Sequence, residues 1–120
     1  MAPKKSSLAP GVLSDTALDL IAARFRALSE PMRLRLLNAL MQGERTVGQL
    51  VEVSGSGQAN VSKHLAVLRD AGMVGIRKEG MRTFCYIADP IVNELCEMMC
   101  SRLRGEMEGK AKALAFNQRG

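Results

Sequence analysis

A short amphipathic segment, a glycine–serine turn, a longer amphipathic segment and then an abrupt change of hydrophobic period constrain this chain most. Thr46-Val47-Gly48-Gln49 fits a capping box, in which the Thr hydroxyl and the Gln side chain satisfy two backbone N–H groups that a helix start leaves unpaired. It opens a short helix with Val47, Leu50 and Val51 facing inward. Ser54-Gly55-Ser56-Gly57 is the turn. A longer helix is expected from about Gln58 to Ala71, with Val61, Leu65 and Leu68 on its apolar face and Gly72 as its stop. After Gly72 the period falls to two: Val74, Ile76 and Lys78 alternate with Gly75, Arg77 and Glu79. Gly80 turns, and Thr83, Cys85 and Ile87 then alternate with Arg82, Phe84 and Tyr86. Helix, turn, helix and hairpin together predict a mainly α fold with a small β-hairpin, a winged helix-turn-helix.

The flanks complete that plan. Leu18, Ile21, Ala22, Phe25 and Leu28 recur at three and four residues, with Ser14 as cap. Ser29-Glu30-Pro31 restarts the chain, Ser29 capping and Pro31 tolerated in the first turn, and Leu34, Leu37, Leu40 and Met41 carry a second helix to Gln42 before Gly43. Pro90 opens a last helix expected through Arg104, with an extension toward Leu114 that Gly105 and Gly109 weaken. On this helix Ile91, Val92, Leu95, Cys96, Met98, Met99, Cys100, Leu103 and Met107 cover an arc of roughly 200°, about twice a normal surface stripe. Such an arc can cover its own domain and a second copy of itself, so the terminal helices are expected to build a homodimer. The domain reading is a basic tail over 1–13, expected to be mobile, a winged helix-turn-helix domain over 14–104, and a helical extension or tail over 105–120.

Composition narrows the partners. Aromatics are 3% with no Trp, so the core is aliphatic and base stacking cannot dominate a nucleic-acid contact, which disfavours an RNA- or ribosome-binding module. The 17 Lys and Arg against 12 Asp and Glu leave a net charge of +5, which suits a polyanion such as double-stranded DNA. No apolar run approaches the ~18 residues of a membrane span, and Leu8 to Leu13 is too short and too broken for a signal-peptide core. A cytoplasmic location without membrane contact is expected. Nothing supports an enzyme: the chain has no glycine-rich phosphate loop, no carboxylate pair at working spacing and no readable Cys/His dyad. A winged-helix protein–protein adaptor is the other class of function; it would lack a positive recognition surface.

Four stretches carry a resemblance to the ArsR/SmtB winged-helix repressors. They are Ala27-Leu28-Ser29-Glu30-Pro31-Met32-Arg33-Leu34-Arg35-Leu36-Leu37, then Thr46-Val47-Gly48-Gln49-Leu50, then Gln58 through Val74, and the wing from Arg77 to Arg82. Within the third, Val61-Ser62-Lys63-His64-Leu65 with Leu68, followed by Ala71-Gly72-Met73-Val74, is the specific part, and the likeness spans roughly residues 18 to 104. The resemblance implies a homodimeric repressor that releases operator DNA when a metal, metalloid or oxidant acts on a sensor site. Two of that family's known sensor sites are missing here. The stretch before the recognition helix reads Gln49-Leu50-Val51-Glu52-Val53 where a Cys-Val-Cys run would stand, and the last helix has no His.

The DNA-binding candidates follow from the recognition helix and the wing. Gln58, Asn60, Ser62 and Lys63 lie near the helix N-terminus, the end that meets base edges. Gln and Asn can pair bidentately with adenine, the alternative for both being hydrogen bonds at the helix start. Lys63, Arg69, Arg77, Lys78 and Arg82 supply positive charge along helix and wing, the alternative being a solvated face. His64, the sole histidine, either contacts a phosphate or packs under the helix. The sensor candidates are Cys96 and Cys100, at i and i+4 on one helical face, with Cys85 or a partner thiol as a third ligand. The cofactor therefore stays open between a thiophilic metal or metalloid and none, the thiols then being small buried hydrophobes.

Overall fold

The computed structural model describes Gly11 and residues 13–110, with side chains described as far as residue 108. Most of the basic tail expected over 1–13 and the far end of the extension, 111–120, lie outside the described residues. The order of elements is α1 (Asp15–Leu28), α2 (Pro31–Leu40), β1 (Arg45–Thr46), α3 (Val47–Ser54), α4 (Gln58–Asp70), β2 (Val74–Glu79), β3 (Arg82–Ile87) and α5 (Ile91–Lys110).

Local chemistry places most boundaries. The Ser14 hydroxyl accepts the Ala17 N–H at 3.1 Å and caps α1. The cap of α2 is one residue later than the sequence suggests. Glu30 holds the extended N-cap position and its carboxylate accepts from Met32 N, while the Ser29 hydroxyl donates back to the Arg26 carbonyl and closes α1. The box at α3 forms in both directions, Gln49 N to Thr46 Oγ1 at 3.1 Å and Thr46 N to Gln49 Oε1 at 2.9 Å. Asp89 takes the Ile91 N–H on its side chain and starts α5 around Pro90. That last helix passes Gly105 without a break.

The hairpin runs in register from Val74↔Ile87 to Glu79↔Arg82, leaving the two-residue loop Gly80-Met81 with Gly80 at φ 63°. It is not alone. Arg45 pairs with Cys85 and Thr46 with Phe84, which makes a three-stranded antiparallel sheet of order β1-β3-β2. Thr46 thus ties a sheet edge and a helix start together.

The core is aliphatic, as the composition requires. Leu36, Leu37 and Leu40 of α2, Leu50 of α3, and Val61, Leu65 and Leu68 of α4 close on Met73, Val74, Cys85 and Val92. The last helix contributes only Val92 to this cluster, with Cys96 packed against it. Ile91, Met98, Met99 and Leu103 of that helix, and most apolar residues of α1, are exposed.

Candidate nucleic-acid interface

The turn before α4 is built to present that helix by its N-terminus. Gly55 adopts the left-handed conformation at φ 71°, the Ser54 hydroxyl donates to the Val51 carbonyl, and the same oxygen accepts from Ser56 N. Gly57 is the N-cap and supplies no side-chain acceptor, so the positive end of the α4 dipole is open to an anion. Val61, His64, Leu65 and Leu68 form the buried arc. Gln58, Ser62 and Lys63 are exposed on the rest of the surface, together with Ala59 and Ala66, two small residues that the sequence reading did not select. Asn60 is half-buried, and its Nδ2 donates to Ser56 Oγ at 2.9 Å. This is the helix-start hydrogen bond. The amide keeps a second N–H and its Oδ1 acceptor, the two groups that a bidentate pairing with adenine uses.

The wing carries less free charge than its sequence suggests. Arg77 is clasped by two carboxylates, Glu44 Oε1 at 2.8 Å from Nη2 and Glu79 Oε1 at 3.1 Å from Nη1, and its guanidinium lies 4.6 Å from the centre of the Phe84 ring. Hydrogen bonding to Arg77, and then its charge, hold the Glu44 carboxyl below its ordinary range against an opposing desolvation. Arg77, expected to supply positive charge to DNA, thus has its charge paired within the wing. Arg82 sits 5.2 Å from the same ring. Among the described residues Lys63, Arg69, Lys78 and Arg82 are in no ion pair, and their charge is available to a polyanion.

His64, named above among the DNA-binding candidates, lies on the buried side of α4. Only 8% of it is exposed, and its Nδ1 lies 3.0 Å from Arg33 Nη1. Arg33 also donates from Nε to the Ala27 carbonyl at 2.7 Å and from Nη2 to the Arg26 carbonyl at 3.1 Å. Sequence reading had no means of finding Arg33: its partners lie on α1 and α4, and an Arg at a helix start reads as solvated.

The three cysteines are free and differ in setting. Cys85 is fully buried in the core, where desolvation pushes its thiol up against a lowering by Arg69. Cys96 is half-buried; burial, and then the neighbouring Cys100, push it up. Cys100 is exposed, with Arg104 Nη2 donating to its sulfur at 3.1 Å. Among the described residues no three His, Cys, Asp or Glu side chains come together as a metal site, so the structure does not bring Cys85 to the Cys96–Cys100 pair as a third ligand. No helix among these residues is long and apolar enough to cross a membrane.

Comparison with known proteins fits this geometry. Residues 30–75, from the Glu30 cap to the start of the wing, match the model of the bacterial regulatory protein, arsR family. A probable mercury resistance operon repressor of Streptomyces lividans is 36% identical over 115 residues, covering 85% of this chain and 92% of the relative. The chain belongs to the arsR family. A biofilm growth-associated repressor of Xylella fastidiosa is 34% identical over 86 residues, 68% of this chain and 75% of the relative. The crystal structure of Rv0081 from Mycobacterium tuberculosis superposes with a TM-score of 0.73 at 33% identity, covering 81% of this chain and 98% of that one. A homodimeric winged helix-turn-helix DNA-binding domain from Mycobacterium bovis gives 0.73 at 30% identity, over 84% and 95% of the two chains. This arsR-family chain is a winged-helix transcription regulator, not an enzyme.

Proposed function

We propose that this arsR-family chain is a homodimeric repressor. Each subunit holds one half of a two-fold operator with α4 and the wing, and the dimer lets go when a thiol-directed signal reaches Cys96 and Cys100. The observation that carries this reading is a coincidence on α5. The helix whose exposed apolar residues call for a second copy, Met98 at 63% and Met99 at 62% among them, also carries the two thiols. A change at the thiols is then a change at the seam from which both recognition helices hang, and their separation must match successive major-groove faces.

The thiol chemistry favours an ion over a disulfide. Residues at i and i+4 have Cβ atoms about 5–6 Å apart in an intact helix, whereas a disulfide needs about 3.5–4.5 Å. A soft ion bridges them with α5 intact; oxidation by a reactive sulfur species would unwind a turn. Any third ligand comes from the partner subunit or from a solution thiol. Cys100 is the exposed thiol of the pair and Cys96 is half-buried, so Cys100 reacts first and Cys96 follows.

The test uses the duplex that the wild-type protein enriches from a random-sequence pool, titrated with arsenite, Cd(II), Hg(II) and a persulfide donor at controlled redox state. At least one should weaken binding by about 5–150-fold, the span of ordinary allosteric coupling. The double variant Cys96→Ser/Cys100→Ser should bind like the parent and ignore all four. A double variant that still responds, or a parent that ignores every one, leaves the thiols as packing groups only.

A further inference from the structure

The contact between Arg33 and His64 has a direction fixed by chemistry. A guanidinium has five N–H donors and no acceptor, so at 3.0 Å the Nδ1 of His64 must be the accepting nitrogen. The ring is then neutral with its proton on Nε2. The other two donors of Arg33 end on the Ala27 and Arg26 carbonyls in the last turn of α1. One side chain of α2 thus joins the end of α1 to the buried side of α4. Neither Arg33 nor His64 is in an ion pair among the described residues, so these hydrogen bonds are their polar partnership.

We infer that Arg33 and His64 form a positioning strut that sets the angle of the recognition helix against α1 and α2, and that sequence-specific DNA reading depends on the acceptor at Nδ1. The inference rests on the reading that α4 meets DNA. Three acceptors on two helices fix the planar fork of an Arg far better than a single contact could. Since α4 reads bases from its outer surface, a small rotation about its axis moves Gln58, Ser62 and Lys63 together and misaligns all of them with the groove. Phosphate contacts are tolerant of such a rotation and base contacts are not.

The experiment measures preference, the ratio of affinities for the duplex enriched by the wild type and for its scrambled counterpart, alongside thermal melting. His64→Leu keeps an apolar group under the helix and removes the acceptor; preference should fall by about tenfold or more while scrambled-duplex affinity and its salt dependence stay put. His64→Asn keeps an acceptor near the Nδ1 position and should restore preference, whereas His64→Gln, whose amide falls near Nε2, should not. Arg33→Lys, with one ammonium in place of the fork, should behave like His64→Leu. A lowered melting point with preference unchanged overturns the strut. Rescue by Gln and not by Asn also overturns it, and assigns the ring a phosphate contact through Nε2. Should a variant fail to fold, the imidazole ¹⁵N spectrum of the wild-type complex decides, since a protonated Nδ1 overturns the inference. A wild type that enriches no duplex at all overturns the DNA reading and the positioning role together.

Discussion

Arg77 and Arg82 flank one ring, Phe84, yet they differ in the charge they can offer a phosphate. Glu44 and Glu79 already neutralise Arg77, whereas Arg82 has no acidic partner among the described residues. Arg82→Ala should therefore weaken binding to all duplexes about equally and reduce the salt slope by about one per subunit, about two for the dimer. Arg77→Ala should leave that slope nearly unchanged at neutral pH, because the charge it removes was already compensated within the wing. Acid reverses the contrast. The Glu44 carboxyl titrates below its ordinary value in the folded protein, so its contribution is complete above the unfolded value and is lost as pH falls through the folded one. Protonated Glu44 removes one of the two carboxylates that hold Arg77, and the slope difference between wild type and Arg77→Ala should grow toward acid pH. Titrations of binding against salt at two pH values check this; equal slopes for both variants at neutral pH would contradict it. The run Arg77-Lys78-Glu79-Gly80-Met81-Arg82 shows its charges plainly and hides this pairing, because Glu44 is 33 residues away in the chain. His64 was hidden in the same way, its partner Arg33 lying 31 residues away. Residue type announces what a side chain can donate or accept, but a partner brought in by the fold decides where the bond goes.

Among elements, what depends on near neighbours was legible in the sequence and what depends on distant ones was not. The capping box at Thr46, the stop at Gly72, the switch to period two and the turn at Gly80 each involve residues within four positions of one another, and each stands where the pattern puts it. The strand β1 was invisible: two residues carry no periodicity, and Arg45-Thr46 become a strand only because Cys85 and Phe84 lie alongside. Gly75 is a similar case, since a glycine inside a strand signals a close approach without saying to what. Here it sits opposite Tyr86, whose ring lies over the position that a side chain would occupy. Gly75→Val should displace that ring and destabilise the fold by about 1–2 kcal/mol, despite the better strand propensity of valine. Denaturant unfolding of Gly75→Val, Tyr86→Ala and the double variant tests it. With the ring gone the valine should cost little, so additive losses in the double variant would refute the overlap.

At the scale of the whole molecule, the inner surface of the helix-turn-helix is closed and the outer surface of the terminal helices is not. Leu20 at 64% and Phe25 at 57% on α1 stand exposed with Met98, Met99 and Leu103 of α5, and Leu20, Ile21, Phe25 and Leu28 line an open groove with Ile91 and Leu95. Soluble monomers seldom present so much contiguous apolar surface, and a two-fold axis through α1 and α5 would cover it on both copies at once. The wide arc read from the sequence of α5 finds its reason here: the domain takes Val92 and part of Cys96, leaving the rest. Sedimentation equilibrium at micromolar concentration should therefore find a dimer. Met99→Glu should dissociate it, since it would bring two carboxylates into an apolar seam, while Val53→Glu, on α3 and also about half exposed, should not. The consequence extends to DNA. If each subunit neutralises its own set of phosphates, the dissociated variant should retain about half of the salt slope, since the slope counts the phosphates neutralised. It should also lose most sequence preference, because one recognition helix reads only one half-site. A folded wild-type monomer, or a dissociated variant with the full slope, would place the two-fold contact elsewhere or remove it.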